Sequence, residues 1–366
     1  MRASGGKVTM GSITRGVLLI ADVSGYTRYL GGVELDHAQD ILADLLGAVV
    51  ANTSVMRTAK LEGDAVFCHA PAGELDGAAL VDTIESCYFA FTRRLRTIAH
   101  LTTCACDACR KLDGLDLKFV VHCGQYATHV VADREELVGY DVILVHRLLK
   151  NRIADATGSR GYALFTTPAI VELGLQQFAA GLAPLRVSVE DAGEVDVRVL
   201  DLCERWLELQ RTRRTVDDPE VEVRADVNAS PAEVWRVMAS AAERPNWISV
   251  STGVEQHNAR GVPGVGTVNH CFHGSQPSTT DEVVDWAPFE HITFTTTAGP
   301  LGRMWVTWGL EALDDRTTRI RHRFAIAEGF APMSPRVAEA WRERSQADVD
   351  RLAQLVRSRR TPEAGD

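Results

Sequence analysis

The sequence predicts an α+β protein of two domains: a ferredoxin-like β-α-β-β-α-β domain followed by a helix-grip domain. Three observations lead there. An apolar run, Val17 to Val23, precedes apolar residues at helical spacing and a pair of short segments that meet around Glu62-Gly63. A polar stretch, Arg211 to Pro219, is charged and ends in proline, as a domain boundary should. Beyond it a strand, a well-signalled helix start and several alternating segments lead to one long final helix. At 366 residues, two domains are expected. We place the first at 14–203, a linker at 204–218 and the second at 219–358.

In the first domain, Val17 to Val23 reads as a buried strand. Leu35, Ala38, Ile41, Leu42, Leu45 and Val49 recur at helical spacing. Residues 52–60 and 64–70 pair as a hairpin, and a long helix runs from Ala78 to Ala99. Leu117 to Tyr126 is a strand, and Val138 to Asn151 is helical. Tyr162 to Thr166 is a strand, 168–173 a short helix, and Val195 to Leu202 the last strand. The second domain opens with a strand at Val221 to Val227. Ser230-Pro231-Ala232-Glu233 then combines an N-cap, a first-turn proline and a capping-box glutamate. Alternating segments between Gly266 and Ala325 read as antiparallel strands. Ser334-Pro335 opens a helix carrying Val337, Trp341, Val349, Leu352 and Val356 on one side.

The composition, 45% hydrophobic and 24% charged, is ordinary for a globular protein. A net charge of −10 argues against non-specific binding to nucleic acid or anionic membrane. Met1 to Ser12 lacks the apolar core of a signal peptide, and no apolar stretch reaches the roughly 20 residues of a membrane span. A cytoplasmic location is the default expectation.

Asp22 and Asp64 each border an apolar run next to a glycine. A carboxylate there is costly unless it is paired, hydrogen-bonded or bound to a cation. Brought together, the two would form a hard-cation site of the kind that carries a nucleoside triphosphate. Leu18-Leu19-Ile20-Ala21-Asp22-Val23-Ser24-Gly25-Tyr26-Thr27 resembles the first metal motif of class III nucleotidyl cyclases, and Lys60-Leu61-Glu62-Gly63-Asp64-Ala65 resembles their second. His122-Cys123-Gly124 resembles a later strand of that family, and Gly139 to Arg147 its catalytic helix. The ordered match spans roughly 14–203. The resemblance implies that Asp22 and Asp64 hold Mg²⁺ or Mn²⁺ on a triphosphate, with Ser24 and Gly25 letting backbone amides approach phosphate. It also implies that Lys60 and Glu136 read the base, that Arg147 stabilises transition-state charge, and that sites form between the protomers of a homodimer.

Two departures count against a complete catalyst. Ile143 stands where the family has a transition-state asparagine, and it donates no hydrogen bond. No lysine lies between Gln176 and Asp201, where the family binds phosphate; Glu190 and Asp191 stand there instead. Losing one preorganised donor costs about 100- to 1000-fold in rate. The expectation is a slow adenylate cyclase or a degenerate one.

Cys104, Cys106 and Cys109 form a Cys-x-Cys-x-x-Cys run between the long helix and the strand at Leu117. Three soft ligands on one loop suit Zn²⁺, which needs a fourth. His100, Cys87, Cys123 and a thiolate of a second protomer are the candidates. The alternative is three thiols in a solvent-facing turn.

Val227-Asn228-Ala229-Ser230-Pro231-Ala232-Glu233-Val234-Trp235, with Pro245-Asn246-Trp247 after it, resembles the START-like (SRPBCC) superfamily. That resemblance implies a cavity for a lipid or other apolar small molecule between a curved sheet and the last helix. Trp286, Phe294, Trp305, Trp308 and Phe324 are the candidate lining, with His270, His273, His291 and His322 as scattered polar groups. The functional expectation is a nucleotide-binding, cyclase-like regulatory protein coupled to an apolar-ligand module. The competing one is a binding or transport protein whose first domain serves for dimerisation. A third is ring closure or hydration in the second domain, which a buried acid–base pair in the cavity would support.

Overall fold

The chain is seen in a computed structural model that describes residues 9–101, 106–131, 134–274, 277–297, 302–327 and 330–359. It divides into two units, Met1–Leu207 and Glu208–Asp366.

In the first unit, β1 (Thr9–Ser24) leads through α1 (Tyr26–Leu30) and α2 (Leu35–Val50) to the hairpin of β2 (Arg57–Glu62) and β3 (Ala65–Pro71). Then come α3 (Gly77–Leu101), α4 (Asp107–Arg110), β4 (Asp116–Val131) and β5 (Arg134–Val138). The chain continues through α5 (Tyr140–Leu148), α6 (Ile153–Thr157), β6 (Tyr162–Thr166), α7 (Thr167–Glu172) and α8 (Gln176–Ala180). It closes with β7 (Ala183–Val189), β8 (Gly193–Asp201) and α9 (Leu202–Thr212), which carries the chain into the second unit.

The sheet order is β2-β3-β1-β4-β6-β8-β7. Each neighbouring pair among its first four strands is antiparallel, which is the ferredoxin-like arrangement expected from the sequence. β1 lies in the middle because Val17, Leu18, Leu19, Ile20 and Ala21 are all buried, so both of its faces need cover. Leu18 and Ile20 pack with Val120, Leu164 and Val145 of α5. β5, β7 and α8 were not foreseen. β7 begins with exposed Ala183 and Pro184 and alternates weakly, as an edge strand can. The helix expected at Val138 to Asn151 is shorter, because Gly139 at φ +149° sets its start.

In the second unit, β9 (Val221–Val227) precedes α10 (Pro231–Met238) and α11 (Arg244–Trp247). Six strands follow: β10 (Gly253–His257), β11 (Val268–Phe272), β12 (Pro277–Ala287), β13 (His291–Thr297), β14 (Arg303–Ala312) and β15 (Thr318–Ile326). The long helix α12 (Pro335–Arg359) comes last. The sheet runs β10-β11-β12-β13-β14-β15-β9, antiparallel throughout. α12 buries Val349, Leu352, Ala353 and Val356 in the core shared with β9 and α10, which is the helix-grip layout.

The segment expected as a plain linker is structured. Residues 202–212 are α9, because Leu202, Trp206 and Leu209 recur at helical spacing and are buried. Residues 213–218 then strap the outer face of the second sheet. The Arg214 amide donates to Asp285, and the Val216 amide donates to Thr307 Oγ1 at 3.0 Å.

The capping box at Ser230 is complete. The Glu233 amide donates to Ser230 Oγ at 3.3 Å, and the Ser230 amide donates to Glu233 Oε2 at 2.7 Å. Ser230→Ala should therefore destabilise the protein by about 1 kcal/mol in urea unfolding. An unchanged midpoint would show that the cap contributes nothing.

Candidate functional sites

The register of three adjacent strands assembles the first site. Asp22 pairs with Ala65 on one side and Lys118 on the other. Asp64 sits beside Gly63 (φ +64°) in the two-residue turn between β2 and β3, so its carboxylate arrives at the same end of the sheet as that of Asp22. The Val23 amide donates to the Asp64 carbonyl at 3.1 Å and locks that turn to β1. Burial, and then the Asp22 charge, push the Asp64 carboxyl above its usual range. Tyr26 is raised as well, by burial and by Asp64.

Gly25 (φ +84°) turns the chain into α1, and a Cβ there would lie 2.3 Å from the Gly114 carbonyl oxygen. Ser24 Oγ donates to the Arg160 carbonyl at 3.3 Å. Asp22, Ser24, Gly25 and Asp64 thus line one open cleft of about 960 Å³. Arg28, Lys118, Lys150, Arg160 and His146 share its wall. This cationic rim was not read from the sequence. Lys118 Nζ lies 3.1 Å from Asp22 Oδ2 and donates to the Leu149 carbonyl at 3.2 Å. Its sequence signal was a lysine opening an otherwise apolar strand, Leu117 to Val121. Oxygen donors from two carboxylates beside an open cleft are of the type that suits Mg²⁺ or Mn²⁺.

Lys60 and Glu136 do meet: Lys60 Nζ lies 2.8 Å from Glu136 Oε2 and 2.9 Å from Glu62 Oε1. Glu62 Oε2 lies 2.7 Å from His146 Nε2, so a chain of polar contacts leads from this pair to the cleft wall. Lys60 and Glu136 themselves are not among the residues lining the cleft. Arg147 is also outside it. Its guanidinium donates to the Glu190 carbonyl and lies 2.9 Å from Asp191, in the turn between β7 and β8. The turn that carries Glu190 and Asp191 therefore holds the arginine of α5, through the Glu190 carbonyl and the Asp191 carboxylate. Ile143 is 54% exposed.

The His122-Cys123-Gly124 strand anchors α5. Asp141 Oδ1 lies 3.1 Å from His122 Nε2, and Asp141 Oδ2 accepts the Gln125 amide at 2.6 Å. A Cβ on Gly124 would lie 2.2 Å from the Asp141 carboxyl carbon, so the motif glycine makes room for that contact.

Of the cysteines, Cys104 and the side chain of His100 lie outside the described residues. Cys106 and Cys109 are joined by His37 of α2, their potential ligand atoms all within 4.8 Å of one another. Cys87 and Cys123 are buried in α3 and β4 and are not part of this cluster, which corrects their candidacy as further ligands.

In the second unit, a cavity of about 140 Å³ lies between the sheet, α11 and α12. Phe294, Trp308, Phe324, His273 and His322 line it as expected, together with Trp247 and Trp341. The expectation fails for two tryptophans. Trp286 packs edge-on against Trp235 in the core, and Trp305 lies on the opposite face, under Arg214. Their positions follow from strand alternation, which puts Trp305 and Trp308 on opposite faces of β14. His291 is also on the outer face, its Nε2 2.9 Å from Asp285 in the cluster that binds the 213–218 strap.

His322 is stacked on Trp308, with ring centroids 3.5 Å apart. Burial, and then the Arg344 charge, push its pKa well down, so it is neutral. Its Nδ1 has no hydrogen-bond partner among the described residues. A part-buried Arg244–Asp281 ion pair, 3.3 Å apart, also lines the cavity, as do Arg344 and Asp348.

The chain therefore combines a ferredoxin-like unit bearing a paired-carboxylate cleft with a START-like, helix-grip unit. Residues 218–357 match the family described as polyketide cyclase / dehydrase and lipid transport, and residues 42–157 match a family of unknown function, DUF2652. The chain belongs to the family of Rv2561/Rv2562, an uncharacterized protein of Mycobacterium tuberculosis, which is 34% identical over 161 residues, covering 44% of this chain and 73% of that protein. Among solved structures, the guanylyl cyclase Cya2 is similar at 15% identity and a TM-score of 0.39, over 52% of this chain and 93% of that one. A Mesorhizobium loti protein is similar at 16% identity and a TM-score of 0.31, over 38% of this chain and 99% of its own. No helix among the described residues is long and apolar enough to cross a membrane.

The raised Asp64 carboxyl has a consequence for stability. Between its ordinary value of 3.8 and its folded value, the native state binds more protons than the unfolded state, so stability falls as pH rises through that window. Asp64→Asn should raise the thermal midpoint of the metal-free protein at pH 7, with a gain that shrinks as the pH is lowered. A lower midpoint at pH 7 would show that Asp64 is stabilising there.

Proposed function

We propose that the first unit binds a nucleoside triphosphate through Mg²⁺ or Mn²⁺ held by Asp22 and Asp64, and that the second unit binds a compact apolar ligand. The observation that carries the first half is the meeting of these carboxylates at one mouth of a cleft walled by Arg28, Lys118, Lys150 and Arg160. The metal would supply charge neutralisation on the phosphates. Arg28, Lys150 and Arg160 supply further positive charge, and Lys118 exchanges Asp22 for a phosphate oxygen. Lys60 and Glu136 read the base, and a homodimer is the working form. The exposed Tyr140 and Ile143 of α5 support such pairing.

A degenerate cyclase is favoured over an efficient one, because Arg147 is engaged by Glu190 and Asp191 and Ile143 offers no donor. Incubation with ATP or GTP and Mn²⁺ should show saturable binding, with cyclic nucleotide slight or absent by mass spectrometry. Asp22→Ala and Asp64→Ala should each abolish the metal-dependent binding while leaving the circular dichroism spectrum unchanged. Absence of binding by the parent protein would instead support the second reading, a ligand-binding or transport protein whose first unit serves for dimerisation.

For the second unit, 140 Å³ is well below the roughly 300 Å³ at which drug-sized pockets begin, but it is close to the size of a cavity that holds benzene. The ligand is therefore a single-ring or similarly small apolar group, carrying one polar atom for His322 Nδ1. Tryptophan fluorescence should report phenol binding more tightly than benzene, and His322→Phe should cost phenol about fivefold while sparing benzene. An equal loss for both would remove His322 from ligand recognition.

A further inference from the structure

The geometry points to a zinc site formed by His37, Cys106 and Cys109, which ties the cysteine insert to α2. His37 comes from the first turn of α2, and some seventy residues later in the chain Cys106 is the N-cap of α4 and Cys109 lies within it. His37 Nδ1 lies 3.2 Å from Cys106 Sγ. Zn–N and Zn–S bonds of about 2.0 and 2.3 Å at a tetrahedral angle put the two ligand atoms roughly 3.5 Å apart. The pair is thus already near the edge length that a bound ion requires. All three ligand atoms fall within 4.8 Å of one another, so drawing them onto one ion needs shifts of about an ångström.

The surroundings fit a built site. The Cys109 amide donates to Cys106 Sγ at 3.4 Å, the type of bond that stabilises a metal-bound thiolate. Glu34, the N-cap residue of α2, accepts the Asp107 and Ala108 amides at 3.4 and 3.1 Å. Tyr29 Oη donates to the Ala108 carbonyl at 2.9 Å, and Lys111 Nζ donates to the Gly32 carbonyl at 2.6 Å. Residues 106–111 are therefore docked on the α1–α2 segment before any ion binds, so little ordering entropy of that stretch opposes binding. Two thiolates and an imidazole select a borderline-soft ion, Zn²⁺ over Mg²⁺ or Ca²⁺. A fourth position is left for water or one further donor.

The docking has a second effect. The same segment runs on through Leu112–Gly114 to the carbonyl that abuts Gly25. An ion at His37 would hold the turn that carries Ser24 and Gly25, without touching the paired carboxylates.

The full chain, purified without chelator, should carry about one zinc per molecule by elemental mass spectrometry. After chelator stripping, Co²⁺ should produce sulfur-to-cobalt charge-transfer and tetrahedral d–d bands, bleached by added Zn²⁺. His37→Gln should lower zinc affinity by more than about tenfold while retaining charge-transfer intensity, and Cys106→Ser should reduce that intensity. Cys87→Ser, remote from the cluster, should bind Co²⁺ like the parent chain. A stripped parent chain with no thiolate–cobalt absorption would overturn the site, and unchanged affinity in His37→Gln would remove its histidine. Since the parent chain is itself titrated, a variant that misfolds does not decide the outcome.

Discussion

The register of β1 between β3 and β4 is the constraint on which the first unit depends. A slip of one residue would send Asp22 and its neighbours to the opposite face. The register is pinned by a continuous buried run, Val17 to Ala21, that tolerates no charge on either face. It sets Asp22 opposite both Ala65 and Lys118, and it delivers the hairpin turn bearing Asp64 to the same edge. Apolar packing in the middle of the sheet thereby decides which charges meet at its end.

Lys118 alters the meaning of the paired acids. Without it, two carboxylates at a strand end would call for a cation outright. With it, Asp22 already has a partner on the neighbouring strand, while burial and then the Asp22 charge raise the Asp64 carboxyl. The arginine of α5 shows the same economy. The turn at Glu190 and Asp191 holds it, so the acidic turn that the sequence shows as a departure ties down an arginine of α5.

Much of the fold was legible because its signals are local. The Ser230 capping box, the β9 strand and the apolar stripe of α12 are each written in a few consecutive residues. The cleft acids were legible through their motif. What stayed hidden depends on long-range pairing. Nothing near His37 marks it as a partner of cysteines seventy residues away, and Lys118 gains meaning only opposite Asp22. Trp305 and Trp308 look alike in sequence, yet alternation sends one outward and one into the cavity. The Leu202–Leu209 stripe was outweighed by the charged residues around it, so α9 read as linker.

The strap across the back of the second sheet bears on how that unit can be excised. Family similarity begins at 218, yet the chain just before it covers Asp285, which is fully buried and takes a backbone amide from Arg214. A fragment started at the similarity boundary would strip that amide, along with the Val216 amide on Thr307, and leave a charged, wetted hollow in place of a closed surface. The compact unit, which begins at Glu208, therefore starts several residues earlier than the recognisable one.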